Sequence, residues 1–177
     1  MKKAISILFI IIAFFIIYFF QSNFFTWFTM AGIMPNLYII LVLFIGLFAK
    51  KKLGLLFGII FGLYLDIVLG KTVGISAIAL GSIGFIGEIL SKSFSKDSRF
   101  IIMIMVIGTT ALYETMLYVF NVIQTEAIFE FFSYLKILLI EVFYNAILTI
   151  IIYPIIKILG YKLENTFEEK VILTRFF

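Results

Sequence analysis

Residues 53–74, with the sequence LGLLFGIIFGLYLDIVLGKTVG, decide how this chain packs, because small or acidic residues recur at every fourth position. The recurring positions are Gly54, Gly58, Gly62, Asp66, Gly70 and Gly74. Residues four apart share one face of an α-helix, so the glycines indicate a groove that another helix can approach closely. A carboxylate in an apolar helix must face protein, water or a partner. We therefore expect this helix to be buried in an assembly, with alanine tolerated at Gly62 and a bulky residue not.

The composition indicates a membrane protein. Of the 177 residues, 64% are hydrophobic and 14% are charged, and the mean hydropathy is +1.22. A soluble domain could not cover so much apolar surface. The net charge of +4 lies in short patches between apolar runs. Membrane topology and anionic lipid explain such patches, so we expect a lipid bilayer as a partner and no nucleic acid.

The chain contains neither cysteine nor histidine. This excludes disulfides, thiolate nucleophiles, metal sites of the cysteine and histidine type, and a histidine base. The segments GISAI and LGSIG do not form the motif of a serine nucleophile, and glycines at helical spacing do not form a phosphate-binding loop. The sequence therefore predicts a protein that is not an enzyme and that has no cofactor or metal.

The apolar runs predict an all-α, polytopic membrane protein of about six transmembrane helices. The predicted spans are residues 4–20, 24–49, 53–69, 73–90, 100–120 and 135–159. The first run lacks a small-x-small cleavage site, so we expect an uncleaved anchor. The second is either a short span that begins at Pro35 and is buried by its neighbours, or one long helix broken at Pro35, which we favour. Residues 1–160 form a single helical domain in this interpretation, and residues 161–177 form a short cytoplasmic amphipathic tail.

The basic residues predict the orientation in the membrane. With the N-terminus inside, all 14 lysines and arginines except Lys71 and Lys136 face the cytoplasm. The positive-inside rule therefore places both termini in the cytoplasm of a multi-pass plasma-membrane protein. The outer segment 121–134 is expected to form an interfacial helix. One helical face of the tail carries Leu163, Phe167 and Val171. We expect this face to contact the membrane, with contact to a partner as the alternative.

Several polar side chains fall inside the predicted spans. The candidates for a polar interior are Glu88, Glu114, Glu141 and Asn145. They could bind a small ligand or relay protons, but we favour carboxyls that join helices through hydrogen bonds. Glu88 lies four residues before Lys92, a spacing that favours an ion pair on a helix. The same predicted span carries a row of small residues, Ala77, Gly81 and Gly84, so it too offers a face for close packing.

The motif Pro35-Asn36-Leu37 at the start of one span, followed by a glycine-rich helix that ends in Gly-Leu-x-x-Asp, resembles the MreD family of the bacterial rod-shape machinery. The matching positions are Pro35, Asn36, Leu37, Gly58, Gly62, Leu63, Asp66, Gly70 and Gly74. Chain length, about six spans and the lack of a soluble domain also fit that family. The resemblance assigns no role to Glu114 or Glu141.

The resemblance implies a scaffold that binds the bitopic protein MreC and links MreB filaments to a RodA-type peptidoglycan polymerase and its transpeptidase. It also implies a fold like the S components of energy-coupling-factor transporters, which supplies an alternative function, a vitamin-binding subunit. Such a subunit is expected to show an Ala-x-x-x-Ala surface on its first span. Here Ala4 and Ala13 are nine residues apart. We therefore favour the scaffold.

Overall fold

The structure, a computed structural model, describes residues 2–49, 52–70 and 72–167. The regular elements in these residues are all helical, which confirms the predicted class. The six α-helices are α1 (Lys2–Phe19), α2 (Leu37–Phe48), α3 (Leu53–Val68), α4 (Ile75–Ser93), α5 (Arg99–Thr125) and α6 (Phe131–Phe167). A π-helical turn, Phe20–Phe24, and a 3-10 turn, Phe25–Trp27, extend α1.

Helix α2 lies at the centre of the molecule. It contacts each of the other five α-helices, and 11 of its 12 residues are buried. The favoured long helix over residues 24–49 is therefore wrong, because the extension of α1 ends at Trp27 and α2 begins only at Leu37. The other alternative, a short helix buried by its neighbours, matches the structure. A helix enclosed by protein does not need to match the thickness of a bilayer.

Within the described residues, four helical segments are long and apolar enough to cross a membrane. They are Lys2–Trp27, Ile75–Ser93, Arg99–Thr125 and Phe131–Phe167. With 12 and 16 residues, α2 and α3 are shorter than the roughly 20 residues that a crossing needs. Six crossings therefore remain a prediction.

The last two helices are longer than predicted. Residues 121–134 do not form a separate interfacial helix, because α5 continues to Thr125 and α6 starts at Phe131. Helix α6 includes Pro154 and continues past residue 160 to Phe167, which is buried in the hydrophobic core. The described part of the predicted tail therefore packs on the bundle through Phe167. Val171 lies outside the described residues.

The glycines of α3 lie against the backbone of α4 and α2. A Cβ added at Gly54 would lie 2.5 Å from the Cα of Gly46, one at Gly58 would lie 2.7 Å from the carbonyl carbon of Leu80, and one at Gly62 would lie 2.5 Å from the backbone nitrogen of Ala77. The helix that fills the predicted groove is therefore the chain's own α4. Gly84 takes part from the α4 side, where an added Cβ would overlap the Gly54 carbonyl.

The remaining small residues of the pattern have other environments. Gly70 and Gly74 have φ values of +61° and +106° and nothing within 4 Å of an added Cβ, so they serve the turn between α3 and α4 rather than packing. At Gly81 an added Cβ would meet first the Ile59 side chain, at 2.8 Å, and no backbone atom. The glycines thus fall into two groups. A tight seam between α3 and α4 consists of Gly54, Gly58, Gly62 and Gly84, and the turn contains Gly70 and Gly74.

The seam predicts that even alanine is poorly tolerated at Gly62, in contrast to the expectation from sequence. Its methyl group would overlap the backbone of Ala77, and overpacking of this kind costs about 1–3 kcal/mol. Gly108→Ala is the matched control, because nothing lies within 4 Å of a Cβ there. We expect Gly62→Ala to lower the melting temperature of the detergent-purified protein and Gly108→Ala to keep or slightly raise it, because alanine is the better helix former. Equal melting temperatures would show that the seam can relax.

Candidate functional site at the Asp66 end of the bundle

The two sequence motifs converge at one end of the bundle. Asp66 closes α3 next to the start of α4, and Asn36 precedes the start of α2. We call this the Asp66 end, and we call the opposite end, where Glu88 lies near Lys52, the Glu88 end. The structure thus brings together Asp66 and Asn36, two positions that the sequence separates by 30 residues.

Asp66 is fully buried and binds the first turn of α4. Its Oδ2 accepts the backbone N–H of Gly74 at 2.8 Å and that of Ser76 at 3.2 Å. The first N–H groups of a helix have no partner within the helix, and a negative charge is favourable beside them. Asp66 therefore supplies α4 with the cap that the local sequence lacks, and it closes the turn between α3 and α4.

Asn145 joins three helices. Its Oδ1 accepts the backbone N–H of Asn36 at 2.8 Å, and its Nδ2 donates to Thr110 Oγ1 at 3.0 Å. Asn145 and Thr110 are both fully buried. Asn145 lies 14 residues into α6, which corresponds to about 21 Å along that helix. Helix α6 therefore extends well past the start of α2, where the buried Asn145 side chain, rather than water, satisfies the N–H group of Asn36.

Gln21 holds the same segment from the other side, and the sequence analysis missed it. Its Nε2 donates to the carbonyl of Pro35, and its Oε1 accepts the N–H of Leu37 at 3.3 Å. Gln21 lies in the π-helical turn that extends α1. The signal in the sequence was weak, since a polar residue at the end of an apolar run usually marks only the membrane interface.

The carboxylates of α5 and α6 lie around a buried tyrosine. Tyr113 is 4% exposed, and its hydroxyl faces the side chains of Asn36 and Ser76. Glu141 is buried one turn before Asn145, whereas Glu114 is half-buried. The structure therefore places Glu141 within the polar interior and Glu114 at its margin.

An open polar cavity of about 350 Å³ lies beside Asp66. Asn121 and Gln124 of α5 line it opposite the turn between α3 and α4, and Thr72 Oγ1 donates to Gln124 Oε1 at 2.6 Å. The described residues contain no group of three side chains that could hold a metal ion. Because backbone N–H groups bind the Asp66 carboxylate, the chemistry that this end offers is hydrogen bonding between helices.

The Glu88 end is held by charged side chains. The predicted pair of Glu88 and Lys92 is present at 3.9 Å, and Glu88 Oε2 also accepts the backbone N–H of Lys52 at 3.0 Å. Between the α4–α5 turn and α6, Lys157 lies 2.7 Å from Asp97. The hydrogen bond from Lys157 and a second from Tyr161 lower the pKa of the Asp97 carboxyl. Glu88 therefore belongs to the charged end, not to the polar interior.

The Asp66 contacts predict graded effects of substitution. Asp66→Asn keeps one acceptor oxygen and nearly the same size. Its NH2 group, however, replaces the other acceptor with a donor that faces the N–H groups of α4. Asp66→Leu removes both acceptors and leaves buried N–H groups without a partner, at a cost of about 1–3 kcal/mol for each. We expect the melting temperature to fall moderately with asparagine and strongly with leucine. If asparagine were as damaging as leucine, the negative charge itself would be required.

A family model described as the rod shape-determining protein MreD matches residues 2–163. The match covers most of the chain and agrees with the resemblance that rests on the Pro35 and Asp66 motifs. No curated protein and no solved structure matches the chain.

Proposed function

The chain belongs to the MreD family of rod shape-determining membrane proteins, and on this premise we propose that it is a non-enzymatic scaffold of the bacterial elongation complex. In this proposal it binds an MreC-like bitopic protein within the membrane. Through that partner it links MreB filaments to a RodA-type polymerase and its transpeptidase.

The state of Asp66 is the observation that most supports a scaffold. A catalytic or ligand-binding carboxylate needs oxygen atoms directed at its substrate. Both oxygens of Asp66 instead face the N–H groups at the start of α4. Asn145 is likewise engaged with Asn36 and Thr110. The most polar part of the interior therefore organises helices.

We further propose that the protein spans the bacterial plasma membrane with both termini in the cytoplasm. The Glu88 end carries the basic residues Lys52, Lys92 and Lys96. At the Asp66 end, Trp27 and Phe132 are 87% and 85% exposed. Basic residues on the cytoplasmic side and aromatic residues at an interface are typical of membrane proteins, and together they support this orientation.

The proposed orientation can be tested with single cysteines, because the chain has none of its own. Thr72→Cys and Gln124→Cys lie on exposed positions of the Asp66 end, and Ser95→Cys and Asn165→Cys lie on exposed positions of the Glu88 end. We expect an impermeant maleimide to label only the first pair in intact cells and all four after the cells are lysed. Labelling of Ser95→Cys in intact cells would contradict the orientation.

The proposed partners can be tested by purifying the tagged protein in mild detergent, identifying the bound proteins and measuring the mass of any small ligand. We expect an MreC-like membrane protein and no ligand, and we expect rod-shaped cells to become round when the protein is depleted.

The alternative, a vitamin-binding S component, is not supported by the family match. The same purification separates it from the scaffold. Recovery of a stoichiometric vitamin together with two cytoplasmic ATPases and their membrane coupler would overturn the proposed function.

A further inference from the structure

A second cavity, of about 650 Å³, lies between α1 and α6 with α2 as its floor, and it is partly open. Every residue that lines it is apolar or glycine. Helix α1 and its extension form the least buried of the four long apolar segments in the described residues: 11% of their most apolar window is buried. On its other edge, the Phe14 ring of α1 stacks on the Phe61 ring of α3, with the ring centroids 4.0 Å apart. We call this space the α1–α6 cleft.

Both walls of the cleft end in a lysine at the same end of the molecule. On α1, Phe9 and Ile16 line the cleft, and Lys2 precedes Phe9 by seven residues. On α6, Leu148 and Ile155 line the cleft, and Lys162 follows Ile155 by seven residues. Residues seven apart lie on nearly the same face of a helix, so each apolar wall continues into a cation.

We propose that the α1–α6 cleft binds one anionic phospholipid from the leaflet at the Glu88 end. The phosphate lies at Lys2 and Lys162, and an acyl chain lies along α2. A phosphate next to these cations is electrostatically favourable. The lining of the cleft is apolar throughout, which suits an acyl chain. The proposal goes beyond the scaffold function and does not depend on it.

The dimensions of the cleft agree with a lipid from one leaflet. The hydrocarbon region of one leaflet is about 15 Å deep, half of the bilayer core. On α6 this depth corresponds to about ten residues, and the lining continues to Leu148, 14 residues or about 21 Å from Lys162, so the cleft is long enough for an acyl chain of one leaflet. The volume of about 650 Å³ is within the range of ligand sites in proteins, roughly 300–1,000 Å³.

The test is native mass spectrometry of the full-length purified protein, stripped of lipid in mild detergent. The protein is then mixed with phosphatidylglycerol and phosphatidylcholine that have identical acyl chains. We expect one phosphatidylglycerol to be retained in preference to phosphatidylcholine. Lys162→Gln should weaken its retention about fivefold, the effect of about one lysine near an anionic headgroup, and Lys2→Gln/Lys162→Gln should weaken it further. The control is Lys136→Gln, the lysine at the opposite end of α6, which should bind like the parent.

A second pair of variants tests the position of the acyl chain. Ile156 lines the cleft, whereas Ile158, two residues later, does not and is 61% exposed. We expect Ile156→Trp to block retention of phosphatidylglycerol and Ile158→Trp to leave it intact, with both variants eluting like the parent in size-exclusion chromatography. Equal binding of the two lipids, or retention by folded Ile156→Trp, would overturn the proposal. So would a lipid-free dimer that Ile156→Trp dissociates, because a second copy would then occupy the cleft.

Discussion

Every backbone N–H group in apolar surroundings must find its partner inside the molecule, and the architecture of this protein depends on that constraint. Helices α2 and α4 both begin after an N-cap residue that makes no capping hydrogen bond with its own side chain. Asn145 and Gln21 satisfy the start of α2, and Asp66 satisfies the start of α4. Three side chains on α6, on the α1 extension and on α3 therefore fix where two other helices begin.

The Asp66 cap and the glycine seam act on the same pair of helices. With the start of α4 bound to Asp66, the two antiparallel helices meet in one order: Gly62 against Ala77, Gly58 against Leu80, and Gly54 against Gly84. A shift of α4 by one residue would bring Ile83 or Phe85 against Gly54 in place of Gly84 and would remove the cap at the same time. The Asp66 cap and the glycine contacts together therefore specify one register between α3 and α4.

The sequence predicted those packing features that depend on the spacing of residues within one helix. The period of four predicted α3 and its groove, and the row of Ala77, Gly81 and Gly84 indicated that α4 also packs closely. The sequence placed one possible helix start at Pro35, close to the observed start of α2, but the bond that holds this start was not predictable, because Asn36 is bound by a residue 109 positions away. The prediction of an interfacial helix over residues 121–134 was wrong for a related reason. The polar pattern is present in the sequence, but α5 and α6 pack against each other and extend into this segment from both sides, to Thr125 and from Phe131.

The burial of the seam also limits where partners can bind. The glycine faces of α3 and α4, which the sequence offered as docking surfaces, are filled within the molecule, and α2 is almost entirely enclosed. The buried share of the most apolar window is 44% in α4 but 11%, 33% and 17% in the α1, α5 and α6 segments. A helix gains little hydrophobic energy by leaving lipid for an equally apolar surface, so shape and polar contacts decide its association. A partner within the membrane would therefore meet the exposed surfaces of α1, α5 and α6 and the outward faces of α3 and α4, not the glycine seam.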